Sequence, residues 1–371
     1  MRFRPRAALA RIQPYVPGKS AHDLGGAVDV VKLSSNENPL GPSPKVKEAL
    51  LAEAAQAHRY PDGGSRTLRR EIARRLGVEP ENIIMGCGSD EVIRLLAEAY
   101  LDPGEGCAFA DATFSQYAFV ARIMSAREIV VPLKEEVHDL DAFAARLAQE
   151  RPRLCFICNP NNPTGTYVGR AALERFLDRV PPETLVVIDE AYIEYADAPD
   201  FPDGCELLKA GRPVVSLRTF SKIHGLAGLR VGYGVGPAEV VAALERIRPP
   251  FNVNRFAHAA ALAALEDEEH VRRSREMNAA ERRRVAGALA ELGLWVAPSQ
   301  ANFLFVRLGP AAAAIAESLT EAGVLVRPTA SFGRPEAIRV TVGTPEQNDR
   351  FLRALQEACE RHCVKGDLAT R

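Results

Sequence analysis

The chain has 371 residues, of which 47% are hydrophobic and 26% charged, with a formal net charge of −1. That length exceeds what one compact core usually organises, and it predicts one large and one smaller domain. The charge balance gives no basis for a nucleic-acid or membrane partner, and no apolar run reaches the roughly 20 residues that span a bilayer.

The opening stretch "MRFRPRAALARIQPY" is basic, with no acid before Asp23. It lacks the apolar core of a signal peptide and the serines and length of a transit peptide, so it reads as a basic arm. Helical periodicity runs through "SPKVKEALLAEAAQAH" (43–58) and "SRTLRREIARRLG" (65–77), the second opening at Ser65 and stopping at Gly77. "SDEVIRLLAEAYLDPG" (89–104) has the same form, with Ser89 as candidate N-cap and Pro103-Gly104 as the stop.

Between the helices lie short, nearly continuous apolar runs: "CAFA", "EIVVPL", "LCFIC", "LVVID", "VVSL" and "VGYGVG". Runs that are apolar on both faces suit strands covered by helices on both sides, which predicts an α/β domain with a mainly parallel central sheet. "VGYGVG" lacks the third glycine of a dinucleotide fingerprint, and reads as a strand whose glycines let a helix pack closely. A break at "IRPPFNVN" precedes a long charged helix, "DEEHVRRSREMNAAERRRVAGALAELG", whose charges read as a solvated face. Three strand-like pieces follow, "NFLFVRL", "VLVRPT" and "IRVTVG", giving a smaller α+β domain. The expected division is an arm at 1–44 that completes the small domain and pocket, a large domain at 45–252, and a small domain at 253–371.

An odd number of cysteines, seven, in a chain this long points to a reducing cytoplasm rather than a disulfide scaffold. Cys155 and Cys158 form a C-x-x-C, but residues three apart on a strand face opposite ways. Cys359, His362 and Cys363 share a helical face with no second ligand pair, so no metal site is expected.

In doubly wound sheets ligands bind beyond the carboxyl ends of the strands. Four such ends carry polar groups. In "IIMGCGSDEVIRLL", Gly86 and Gly88 permit a sharp turn, and Ser89 and Asp90 open a helix whose N-terminus can take an anion; Ser89 as a plain N-cap explains it as well. In "CNPNNPTG", Asn162 precedes Pro163 in a rigid turn, where its amide can face a ligand or simply make the turn. In "LVVIDEAYIEY", Asp189 ends an apolar strand and needs a cation, a strong donor or a local cap, with Tyr192 on the same sheet edge. In "TFSKIHGLAGLRVGYGVG", Lys222 follows Thr219 and Ser221 and precedes Arg230.

Together these parts meet the needs of one cofactor, pyridoxal phosphate: a lysine for its aldehyde, a carboxylate for its ring nitrogen, donors for its phenolic oxygen and a cup for its phosphate. Phe114 in "DATFSQY" offers an aromatic face for the ring.

The segments "SSNENPLGPS", "YPDGGSRTLRREIA", "NPNNPTG", "IDEAY", "SKIHGLAGLRVG" and "IRVTVGT" occur in this order from Ser34 to Thr344. In them the chain resembles the fold-type I pyridoxal phosphate aminotransferases, and most of all their histidinol-phosphate branch. The resemblance implies Lys222 as the Schiff-base lysine, Asp189 as the ring-nitrogen partner, and Asn162 with Tyr192 at the phenolic oxygen. It places Gly88, Ser89, Asp90, Thr219, Ser221 and Arg230 in the phosphate cup and Phe114 against the ring, where the family often has tyrosine. It implies a homodimer in which Tyr60 serves the partner subunit's cofactor phosphate. Arg327 and Arg339 take the substrate anion, whereas without the family each reads as a surface arginine on an edge strand. Tyr15 and Asn36 line the substrate pocket. The implied reaction passes an amino group between histidinol phosphate and a 2-oxo acid, 2-oxoglutarate, in a ping-pong cycle with Lys222 as general base and acid. Relatives on the same scaffold include aromatic or broad-range aminotransferases, phosphothreonine decarboxylases, carbon–sulfur lyases and non-catalytic cofactor-binding regulators; the last carry a DNA-binding module ahead of this domain.

Overall fold

In the computed structural model, which describes residues 3–14 and 29–364, the alternating pattern folds into a mainly parallel sheet between helices, with a smaller α+β unit beside it. The strands are β1 (Val31–Lys32), β2 (Ile83–Gly86), β3 (Gly106–Ala110), β4 (Arg127–Val131), β5 (Leu133–Lys134), β6 (Val137–His138), β7 (Leu154–Cys158), β8 (Leu185–Asp189), β9 (Val214–Thr219), β10 (Gly232–Val235), β11 (Trp295–Val296), β12 (Phe303–Arg307), β13 (Val324–Leu325), β14 (Arg327–Pro328) and β15 (Ala337–Thr341). The helices are α1 (Pro44–Ala54), α2 (Arg66–Leu76), α3 (Ser89–Tyr100), α4 (Gln116–Ile123), α5 (Leu140–Glu150), α6 (Arg170–Leu177), α7 (Gly204–Lys209), α8 (Ala238–Glu245), α9 (Arg255–Leu265), α10 (Glu268–Glu291), α11 (Ala312–Glu321) and α12 (Pro345–Arg361).

The large sheet has the order β2-β10-β9-β8-β7-β3-β4. Only β10 is antiparallel to its neighbours. Successive residues serve opposite layers, as strand geometry requires. Phe156 and Val187 pack with α3, α4 and α8, while Ile157 and Ile188 pack with α5 and α6. Both faces are thereby buried, which is why these strands are apolar throughout. The glycines of β10 admit α3: a Cβ on Gly232 would stand 2.5 Å from the Ser89 nitrogen.

Four boundaries differ from the sequence reading. First, α1 ends at Ala54 rather than near His58, because residues 54–60 are almost all exposed and offer no face to bury. Second, Gly88, not Ser89, caps α3. Its φ of +77° makes the turn that a serine would resist, and Ser89 is the first helical residue. Third, "VLVRPT" is two strands: β13 pairs with β1 of the N-terminal segment, and β14 pairs with β15. Pro328 lacks an N–H and stands on the sheet edge. Fourth, α9 lays Ala257, Ala260, Ala261 and Ala264 against Val46, Leu68 and Ile72 of the large core. This stripe of small residues at helical spacing keeps α9 with the large domain. The chain therefore passes to the smaller unit along α10, not at residue 253. Arg282 of α10 ties the passage down by donating to Asp197 at 2.7 Å and to the Ala301 carbonyl at 3.2 Å.

In the smaller unit the sheet β11-β12-β15-β14 is covered by α10, α11 and α12 through Leu289, Ile315, Leu319, Phe351 and Leu355.

Candidate active site

The C-terminal ends of β2, β3, β7, β8 and β9 meet the smaller unit's sheet at a cavity of about 720 Å³. Asp189, Asn162, Tyr192, Lys222, Ser89, Asp90, Phe114, Thr219, Ser221 and Arg230 all border it, and from the other side so do Asn36, Arg327 and Arg339. Residues spread over more than 300 positions converge because every strand of the parallel run ends at the same edge.

Lys222 follows β9 in a turn held by the Ser221 N–H, which donates to Thr219 Oγ1 at 3.1 Å. Its Nζ donates to the Ser35 carbonyl at 3.3 Å and lies 5.5 Å from the centroid of the Tyr192 ring. Burial first, then the Arg339 charge, lowers its pKa to about 8. The amine is thus far closer to its neutral, nucleophilic form than an ordinary lysine.

Asp189 is 2% exposed at the end of β8, and burial raises its pKa to about 6. It still ionises near neutrality because the Tyr117 hydroxyl donates to its Oδ2 at 2.7 Å and the Ala191 N–H to its Oδ1 at 3.2 Å. Tyr192 receives the Asn36 amide at its hydroxyl, 3.0 Å away. Its phenol is held protonated by burial.

The first turn of α3 opens onto the cavity with Gly88 as its cap, a residue with no side chain to accept from the first N–H groups. Such a helix start attracts an anion. Arg230 leans over it: a Cβ on Gly88 would stand 2.6 Å from Arg230 Nη2. The Asp90 carboxylate pairs with Arg230 Nη2 at 3.1 Å, which ties that guanidinium to the start of α3.

On the opposite wall Arg339 forks between Asn162 Oδ1 (2.6 Å) and the Ser34 carbonyl (2.7 Å), over the ring of Phe303. Arg327 donates to Ser331 Oγ at 3.4 Å.

Tyr60, expected to serve the partner subunit's cofactor, does not border this chain's cavity. Tyr60 is 79% exposed, stacked on Phe251 with 4.6 Å between ring centroids. Tyr15 lies outside the described residues. Sequence reasoning missed the role of Tyr117 as donor to Asp189. Its signal was present, since Tyr117 stands three residues after Phe114 near the start of one helix, and a buried phenol needs an acceptor. It also missed the pair behind the site, Glu190 with Arg218 at 3.1 Å, both buried on the sheet face opposite Asp189. Cys155 and Cys158 belong to cores on opposite faces, all seven cysteines are unpaired, and no group of three metal-binding side chains occurs among the described residues.

The family model for aminotransferase class I and II matches residues 28–355. The histidinol-phosphate aminotransferase of Moorella thermoacetica is 49% identical over 356 residues, 95% of this chain and 92% of that protein. That of Symbiobacterium thermophilum is 48% identical over 356 residues, 95% of this chain and 98% of its own. The crystal structure of histidinol-phosphate aminotransferase from Sinorhizobium meliloti in complex with pyridoxal-5'-phosphate superimposes with a TM-score of 0.89 at 28% identity, covering 97% of this chain and 99% of that one.

Proposed function

The chain belongs to the aminotransferase class I and II family, and on that premise we propose that it transfers an amino group between histidinol phosphate and 2-oxoglutarate, yielding imidazole-acetol phosphate and glutamate in histidine biosynthesis. Its cofactor is pyridoxal phosphate, which when bound supplies an aldehyde that takes up amines and a ring that draws electrons from the carbon bearing them.

The donor set fits that group. Lys222 Nζ would hold the aldehyde, Asp189 the ring nitrogen, and Asn162 with Tyr192 the phenolic oxygen. The open N-terminus of α3, with Ser89, Thr219, Ser221 and Arg230, would hold the phosphate, and Phe114 the ring face. The observation that carries the reading is that one cavity joins Lys222 and Asp189, their pKa values displaced in opposite directions by burial, to the arginine pair Arg327 and Arg339.

Lys222 Nζ takes the proton from the substrate carbon that bears the amino group and later returns one, as general base and acid. Asp189, ionised at neutral pH, would favour a proton on the cofactor's ring nitrogen. Arg327 and Arg339 bind the anionic end of each substrate in turn. A guanidinium accepts phosphate or carboxylate in the same forked geometry, so one pair serves both halves of a ping-pong cycle. Phe114 and Phe332 add aromatic surface to the cavity wall.

The reading extends to a homodimer in which the partner's Tyr60 reaches the phosphate end of this site. Exposed Leu51, Tyr60 and Phe251 support it as an apolar surface. It also places the enzyme in the cytoplasm, supported by seven unpaired cysteines.

The test is a half-reaction. Protein loaded with cofactor is mixed separately with histidinol phosphate, phenylalanine and phosphothreonine, and the cofactor absorbance is followed. Rapid change with histidinol phosphate alone is expected. Faster change with phenylalanine would move the enzyme to the aromatic class, and carbon dioxide release from phosphothreonine would make it a decarboxylase.

A further inference from the structure

Glu136 lies in the turn between β5 and β6, far from every catalytic group in sequence, yet it touches the supports of both substrate-side arginines. It is 5% exposed, and its φ of +62° follows Glu135 at +51°, so two successive non-glycine residues hold the left-handed region. Such a turn persists when its surroundings fix it.

Its side chain faces the smaller unit. Arg334 Nε donates to both carboxylate oxygens, at 3.1 and 3.0 Å, and Arg307 Nη2 donates to Oε1 at 2.9 Å. Arg334 also reaches Asp111 Oδ2 at 3.1 Å, so the cluster is two carboxylates against two guanidiniums. Arg334 closes a short loop: its N–H donates to the Thr329 carbonyl at 3.2 Å, and its carbonyl accepts from Thr329 Oγ1 at 2.6 Å. The tip of that loop is Ser331 and Phe332, which border the cavity. Ser331 accepts from Arg327, and the guanidiniums of Arg327 and Arg339 stand 5.9 and 6.0 Å from the Phe332 ring.

The backbone of Glu136 faces the other support. Its carbonyl accepts from Thr166 Oγ1 at 2.5 Å; Thr166 bonds Thr164, which accepts from the Asn161 amide. This chain fixes the turn that presents Asn162 to Arg339.

We propose that Glu136 is a positioning residue that sets the spacing of Arg327 and Arg339, and with it the recognition of the substrate's distal anion. The inference rests on the reading that those arginines bind that anion. Through Arg334 the carboxylate holds the Arg327 side, through its carbonyl the Asn162–Arg339 side, and it sits where the two domains meet. Breaking the cluster therefore acts on substrate binding rather than on the proton transfer at Lys222.

The experiment compares kcat/KM for histidinol phosphate with kcat/KM for histidinol, the same amine without its phosphate, in the loaded enzyme. Glu136→Gln keeps the shape and removes the charge. It is expected to lower that ratio about tenfold, the scale of a small displacement of a binding group, while kcat and the cofactor absorbance stay at wild-type values. Arg334→Gln should do the same, and the double variant should be no worse than either single one. Should Glu136→Gln fail to fold, Arg334→Gln and Glu136→Asp carry the same comparison. An unchanged ratio together with a lower melting temperature overturns the proposal, because a merely structural cluster gives that result. Arg327→Gln and Arg339→Lys separate the two levels. If they lower the ratio and Glu136→Gln does not, the anion reading stands and the positioning role falls; if none of them lowers it, both fall.

Discussion

Tyr117→Phe tests the environment of Asp189 without disturbing the core. Tyr117 is fully buried and stacked on Phe156 with 4.6 Å between centroids, and phenylalanine keeps that stack. What is lost is the hydroxyl that donates to Asp189 Oδ2 at 2.7 Å. A hydrogen bond to a charged acceptor contributes about 1.5–3 kcal/mol, and at about 1.4 kcal/mol per unit its loss raises the carboxyl pKa by about 1–2 units. Asp189, already raised by burial to about 6, then titrates around neutrality in the cofactor-free protein. A carboxyl whose folded pKa is raised contributes stability that is present below its unfolded value, and that is lost as pH rises through the folded value. At pH 5 Asp189 is protonated in both proteins and the variant should lie close to wild type. At pH 8 it is ionised in the wild type and half or more ionised in the variant, which should be less stable by about 1–3 kcal/mol. Denaturant unfolding of the cofactor-free proteins at both values measures the difference. The same destabilisation at pH 5 and pH 8 would mean that the hydroxyl is mere packing and that Asp189 does not depend on it.

Lys222→Ala should abolish amino transfer, and borohydride should then fix no cofactor to the chain. Mixed with Tyr60→Ala, itself weakened, it should regain activity in hybrid dimers, where one site receives both native residues; no gain on mixing would refute the shared site. Arg339→Lys cannot reach Asn162 Oδ1 and the Ser34 carbonyl together, so steady-state kinetics should show KM for both substrates rising about tenfold. Gly88→Ala places a Cβ 2.6 Å from Arg230 Nη2 at a φ of +77°, a strain of about 1–3 kcal/mol. Equilibrium dialysis should show weaker cofactor binding, and affinity equal to wild type would remove Gly88 from the phosphate cup.

The strands of the large sheet were legible because burial on both faces leaves uninterrupted apolar runs, and the cavity residues because they stand just past those runs. Ser89, Asn162 and Asp189 each had a bland reading, and only their joint position at the strand ends separated the two. What was not legible depended on pairing across long separations. The Glu190–Arg218 pair joins neighbouring strands on the face away from the cavity, and nothing local marks it. The helix α9 went to the wrong domain because its alanine stripe gives no sign of which surface it will meet. Gly88 as cap of α3 was hidden by Ser89, a better cap by propensity, since the choice is made by the backbone turn that Arg230 and Ser89 require.

The two displaced pKa values have one origin. Burial pushes Asp189 up and Lys222 down, so it penalises the carboxylate that a protonated ring nitrogen would favour, and it favours the neutral amine that the chemistry needs. The first turn of α3 adds a further demand, N–H groups that its cap Gly88 has no side chain to satisfy. On the proposed reading, a carbonyl would engage the amine, a protonated ring nitrogen the carboxylate and a phosphate the helix start, and one molecule carries all three groups in a fixed arrangement. Because these demands fall on β2, β8 and β9 together, binding that molecule favours the folded sheet edge over the unfolded chain. On that reading catalytic readiness and dependence on the cofactor for stability are the same property, and substitutions at Asp189 or Lys222 should act on both.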